Sequence, residues 1–299
     1  MTSTTALPDK ILIEVCVDSV ESAIAAVAGG ADRLELCANI PLGGGTTPSL
    51  GLFKIIKRVL PNAPIMVMIR PRTGDFVYTP SELEVMLEDI QIFKQAEADG
   101  VVFGVLTPES GIDIYQTNLL VEKARPLEVC FHRAFDMTYR KDPFESSPLQ
   151  IPLPNLHLNT LSSIPGITRI LTSGFGPTVH SSLLTLVNLF QSAHSLNTAR
   201  RSGDNPLTIL PGSGINPNTI RDILKVLLPV GLKEIHMSGG RWDESEAKEE
   251  FRNNDIDMGG WKVWRTDEGS VRRVREIVDQ VLESEKRKLE VEHEREISS

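Results

Sequence analysis

Cysteine is scarce in this sequence: three residues among 299, an odd number that cannot make a disulfide framework. No run approaches the roughly 20 apolar residues of a membrane-spanning helix, and the opening stretch MTSTTALPDK has no apolar signal-peptide core. A soluble protein of a reducing, cytoplasmic compartment is the expectation. Aromatic residues make up only 5% of the chain, so a core must be built mainly from Val, Ile, Leu and Ala. Basic residues are in deficit, 31 against 40 acidic ones, for a formal charge of −9. That balance argues against nucleic acid or an anionic membrane as a partner, while leaving room for a local site for a small anion.

What the sequence does have is a repeat of short, β-branched apolar runs separated by longer stretches of helical period. Eight runs are candidate strands: 11–17, 33–38, 64–70, 100–106, 127–133, 167–173, 207–212 and 234–238. Between them, Val20, Ala23, Ile24 and Val27 share a helical face in 19–28, as do Leu83, Met86, Leu87, Ile90 and Phe93 in 80–97. Ile220, Ile223, Leu224 and Leu227 repeat the spacing in 217–228, and Val271, Val274, Ile277, Val278 and Val281 in a last helix near 270–290. Ser19 and Ser81 sit near helix starts. Strands alternating with helices imply a parallel sheet, and eight such units imply a closed (β/α)8 TIM barrel, one domain over residues 1–299. An open doubly wound sheet is the alternative, weakened because no G-x-G-x-x-G follows the first strand. Three stretches exceed the repeat, 138–166, 194–206 and 239–265, and read as long loops; 283–299 reads as a solvated helical tail.

Strand side chains alternate between two faces, so parity divides lumen from helix layer. Ile11, Ile13, Val15 and Val17 form an unbroken apolar face, which leaves Glu14, Cys16 and Asp18 toward the lumen. The same argument directs inward Glu35, Cys37 and Asn39, then Met66, Met68 and Arg70, then Glu128, Cys130 and His132, then Glu234, His236 and Ser238. Burying so many ionisable groups is costly unless they pair, and barrel chemistry sits at the C-terminal strand ends. Glu14, Glu35, His132 and His236 are acid–base candidates, and Arg70 could clamp a carboxylate or phosphate. Gly212 and Gly214 of PGSGI and Ser238 of SGG lie where many barrels bind phosphate, with Asp18 nearby. The competing readings are a structural lumen network and plain tight turns.

Read in order, several stretches resemble the copper homeostasis protein CutC family: EVCVDSVESA at 14–23, GGADRLELCANIPLGGGTTPSLGL at 29–52, VMIRPRTGDFVY at 67–78, FHRAFDM at 131–137, PGSGI at 211–215 and EIHMSG at 234–239. The family pattern usually has Ser where this chain has Ala38, Leu where it has Thr46, and no Ser213 inside the glycine-rich turn. The resemblance implies a barrel, a cytoplasmic location, self-association as a homo-oligomer and copper handling. It also makes Cys16 and Cys37 the matched thiols for Cu(I), which prefers soft ligands. Cys130 shares their parity but is expected to be structural. Two other readings stay open: an enzyme acting on a small anionic metabolite, and a Zn or Mn site using Glu14, Glu35, His132 and His236. A third class is a barrel without chemistry that only binds a partner.

Overall fold

The computed structural model describes residues 7–138, 153–199, 206–248, 250 and 260–297. The strands are β1 (Leu12–Val17), β2 (Arg33–Leu36), β3 (Ile65–Met68), β4 (Gly100–Phe103), β5 (Glu128–Phe131), β6 (Ile167–Thr172), β7 (Thr208–Pro211) and β8 (Glu234–Met237). A short antiparallel pair follows, β9 (Gly240–Asp243) and β10 (Val263–Thr266). The helices are α1 (Val20–Ala28), α2 (Leu50–Val59), α3 (Pro80–Gln95), α4 (Ile114–Ala124), α5 (Leu153–Ser162), α6 (Leu183–Ala199), α7 (Ile220–Leu227) and α8 (Glu268–Ile297).

All eight expected strands form, and they pair in parallel in the order β7-β6-β5-β4-β3-β2-β1-β8. A parallel bridge between Gly212 and His236 joins the ends of β7 and β8 and closes the ring into a (β/α)8 barrel. Gly212 is needed at that seam: a Cβ there would lie 2.5 Å from Leu171 Cδ1 and 3.2 Å from His236 Cβ. Without a side chain at this position the two strands can meet.

Outward strand residues such as Ile13, Val15, Leu34, Val67, Val129 and Ile235 pack under the helices in one continuous core. A smaller cluster of Cys37, Met66, Met68, Val102, Cys130, Leu171 and Leu210 fills the lumen, as parity requires. On α7 the whole expected face, Ile220, Ile223, Leu224 and Leu227, is buried. On α1 the expectation is corrected: Ile24 is exposed, and the buried side is Ser22, Ala23 and Ala26. Small residues are favoured there because β10 lies close by, Thr266 N–H donating to Ser22 Oγ at 3.0 Å. Ser19 caps α1 as expected, whereas α3 is capped by Thr79 in a capping box with Glu82, upstream of Ser81.

The stretches that exceed the repeat are partly regular structure. Residues 138–166 contain α5, the helix linking β5 and β6, and α6 runs on to Ala199. Residues 239–265 contain the strands β9 and the start of β10. Residues 139–152, 200–205, 249 and 251–259 lie outside the described residues.

Candidate metal and ligand site

The lumen polar groups separate into two layers. In the lower one, Arg33 of β2 donates to Glu14 of β1 and, at 2.6 Å, to Glu234 of β8. Arg169 of β6 donates to both oxygens of Glu234 at 3.0 Å and to Glu128 at 3.0 Å, and Thr208 Oγ of β7 adds a bond of 2.7 Å to Glu234. Two arginines therefore balance two deeply buried carboxylates. Burial alone would raise the Glu14 pKa, but Arg33 and His236 outweigh it and hold the carboxyl well below its ordinary range. Arg33 and Arg169 were missed as lumen residues, although the parity that placed Glu35 and Cys37 inward applies equally to Arg33.

Above this layer, at the C-terminal strand ends, three donors come together. Cys16, Glu35 and His236 each offer a ligand atom within 4.8 Å of the other two. The register explains the meeting: Cys16 of β1 is paired with Glu35 of β2, and Glu14 of β1 with His236 of β8. His236 Nδ1 is 2.7 Å from Glu14 Oε1, which turns Nε2 toward Glu35 at 3.9 Å. Burial disfavours a charged imidazole, yet Glu35, Cys16 and the Glu14 bond together hold the His236 pKa well above its usual value. Burial pushes the Cys16 thiol up and raises Glu35 as well. Glu35 Oε2 accepts from Cys37 Sγ at 3.4 Å, while Glu35 Oε1 is buried with no partner among the described residues.

These positions revise several expectations. Cys37 stands beside the triad, bonded to Glu35, and burial holds its thiol well above the usual range. The set Glu14, Glu35, His132 and His236 does not assemble as a Zn or Mn site. Both oxygens of Glu14 are taken by Arg33 and His236, and His132 is not part of the cluster. Cys130 is buried in the lumen plug, with its pKa raised by burial.

A cavity of about 560 Å³ opens over the triad. Its wall includes Arg70, Phe76, His132, Gly214 and Ser238. Asp18 is not on that wall; its Oδ2 accepts from Ile40 N–H at 3.4 Å and braces the loop after β2. Arg70 is fixed on the wall by donating to the carbonyls of Gly43 at 2.7 Å, Gly45 at 3.1 Å and Gly74 at 2.8 Å. Strand alternation continued past His132 would turn Arg133 away from the lumen, but the chain does not follow it. β5 ends at Phe131, strand parity stops there, and a 3-10 turn over Arg133–Met137 brings Arg133 and Asp136 onto the cavity wall. Asp136 accepts from Arg133 at 2.8 Å and from Ser173 N–H at 3.0 Å, tying that turn to the end of β6.

The CutC family model matches residues 11–241 of this chain, which take in every strand of the barrel and all three donors of the triad. The chain belongs to the CutC family. The human copper homeostasis protein cutC homolog is 38% identical over 277 residues, covering 91% of this chain and 90% of its own. The Dictyostelium discoideum homolog is 40% identical over 276 residues, covering 84% and 89%. Among solved structures, CutC from Streptococcus agalactiae superposes with a TM-score of 0.63 at 29% identity, over 76% of this chain and 98% of that one. Two of the three positions expected to depart from the family pattern, Ala38 and Thr46, face each other across one backbone bridge. The third, Ser213, adopts φ 99° on the cavity wall. Its Oγ donates to Pro177 O at 3.0 Å and its carbonyl accepts from Val179 N–H at 3.1 Å.

Proposed function

We propose that this CutC family chain handles copper by binding Cu(I) as cargo at the barrel mouth, through Cys16 and His236. The observation that carries this reading is the Cys16–Glu35–His236 cluster, with Glu14 fixed behind the imidazole at 2.7 Å. A carboxylate on one ring nitrogen orients the other toward a metal and raises its basicity. Ligand bonds of about 2.0 Å to nitrogen and 2.3 Å to sulfur place the donors of a two-coordinate ion roughly 4.3 Å apart. The observed spacing, within 4.8 Å, suits that with little movement. Thiolate is the soft donor Cu(I) prefers, and the unpartnered Glu35 Oε1 leaves a charge able to balance the ion. Cys37, already bonded to Glu35, supplies a second thiol beside the site. The names of the human and Dictyostelium relatives point the same way.

An anaerobic Cu(I) titration against a competing chelator tests this. The wild-type chain is expected to take one ion, Cys16→Ser to lose it, and Cys37→Ser to retain it at reduced affinity. Unchanged binding in Cys16→Ser, with the fold intact, would sink the assignment. The same reading takes the protein as a cytoplasmic homo-oligomer, for which light scattering after size exclusion is the check. Among the described residues no helix is long and apolar enough to cross a membrane.

A further inference from the structure

A copper ion needs only a few atoms' width, yet the cavity over the triad measures about 560 Å³, within the range of small-molecule pockets. Its wall also carries polar groups that the copper site leaves unused. His132 is buried, and its Nδ1 accepts from Ala134 N–H at 3.2 Å, so the ring proton sits on Nε2. That Nε2 has no partner among the described residues. Burial first, and the Arg70 charge second, lower the His132 pKa to about 3, so the ring is a neutral donor. Space for it is reserved by Gly104, where a Cβ would come within 2.6 Å of Nδ1.

Beside it, Arg70 is 5% exposed and donates to neutral carbonyls, with the Tyr78 hydroxyl close by; no carboxylate among the described residues pairs with it, and its Nε is unpartnered. The Phe76 ring stands between the two, 4.8 Å from the Arg70 guanidinium carbon and 4.8 Å from the His132 ring centre. A buried donor without an acceptor and a buried cation without an anion thus share one wall. Each is costly to leave so, and one ligand chemistry answers both.

We infer that the cavity binds a small organic oxyanion, a carboxylate or phosphate ester, with one oxygen accepting from His132 Nε2–H and its charge balanced by Arg70. The Phe76 face packs the ligand's carbon part. The site shares the cavity with Cys16, Glu35 and His236 but uses His132, Arg70 and Phe76, and it does not rest on the copper reading.

Thermal shift and isothermal titration with succinate, citrate, glycerol phosphate and inorganic phosphate, against chloride at matched ionic strength, test it. At least one organic anion is expected to bind and to raise the Tm above the chloride control. His132→Asn keeps an acceptor for Ala134 N–H but removes the Nε2 donor, and should weaken that binding by about tenfold or more. Cys16→Ser should leave anion binding intact while losing Cu(I), so failure of either site is read separately. In the unmutated protein, the His132 Nε2–H resonance should move downfield as the anion is added, a readout that stands even if His132→Asn folds poorly. No binding by any organic probe, equal affinity in folded His132→Asn, or an unmoved Nε2–H resonance would overturn the inference. Comparative binding of glycerol phosphate and the carboxylates then assigns the headgroup.

Discussion

His132 and His236 are both buried in one barrel mouth, yet their surroundings drive them in opposite directions. His236 lies against Glu14 and Glu35, which hold its pKa well above the usual value against the effect of burial; His132 is held neutral by burial first and the Arg70 charge second, with a pKa lowered to about 3. The consequence for stability follows from linkage. Since His132 takes its proton in the unfolded chain near pH 6.5 but in the folded chain only near pH 3, acid favours unfolding across that window. Stability is therefore lost as pH falls from about 6.5 toward 3, and the His132 share at pH 5 is about 2 kcal/mol. Urea titrations at pH 7 and pH 5 should show this drop in the wild type and a smaller one in His132→Asn; equal drops would count against the neutral ring. Glu14→Gln removes the charge behind His236 and should reduce Cu(I) affinity by roughly 10–100-fold, read by chelator competition. A Glu14→Gln protein with wild-type affinity would mean that the carboxylate does not tune the imidazole.

At the scale of elements, caps and seams decide where side chains are aimed. Thr79 and Glu82 close the capping box of α3, and Thr79→Ala should cost about 1 kcal/mol in urea unfolding with copper binding unchanged. The eight strands were legible because each is a β-branched run between helical stretches, and parity then gave Glu14, Cys16, Glu35, Cys37 and His236 their correct face. Parity fails where a strand ends: Arg133 lies two residues past Phe131, inside a 3-10 turn, so its position on the cavity wall was hidden from an alternation rule. Height within the lumen was hidden as well. Glu14 and Glu35 look alike in sequence, but only the stagger of neighbouring strands sends one to the ion-pair layer and the other to the mouth. Arg70 shows a third limit, since its partners are backbone carbonyls of Gly43, Gly45 and Gly74, which carry no side-chain signal.

Over the whole molecule, the lower polar layer ties the barrel together: Glu14, Arg33, Arg169, Thr208 and Glu234 come from β1, β2, β6, β7 and β8. Removing one partner leaves a buried charge uncompensated, so Arg33→Ala should cost about 3–5 kcal/mol and lower the Tm, whether or not copper is present. That layer is a closed ionic floor beneath a mouth in which Cys16, Glu35 and His236 still have capacity to bind. Stability thus resides in the floor, and the proposed copper site in the mouth. X-ray absorption at the copper edge of the Cu(I)-loaded protein tests that central claim most directly. One sulfur and one imidazole nitrogen in the first coordination shell is the predicted result. Two sulfurs and no nitrogen would contradict it, placing the ion between Cys16 and Cys37 instead of between Cys16 and His236.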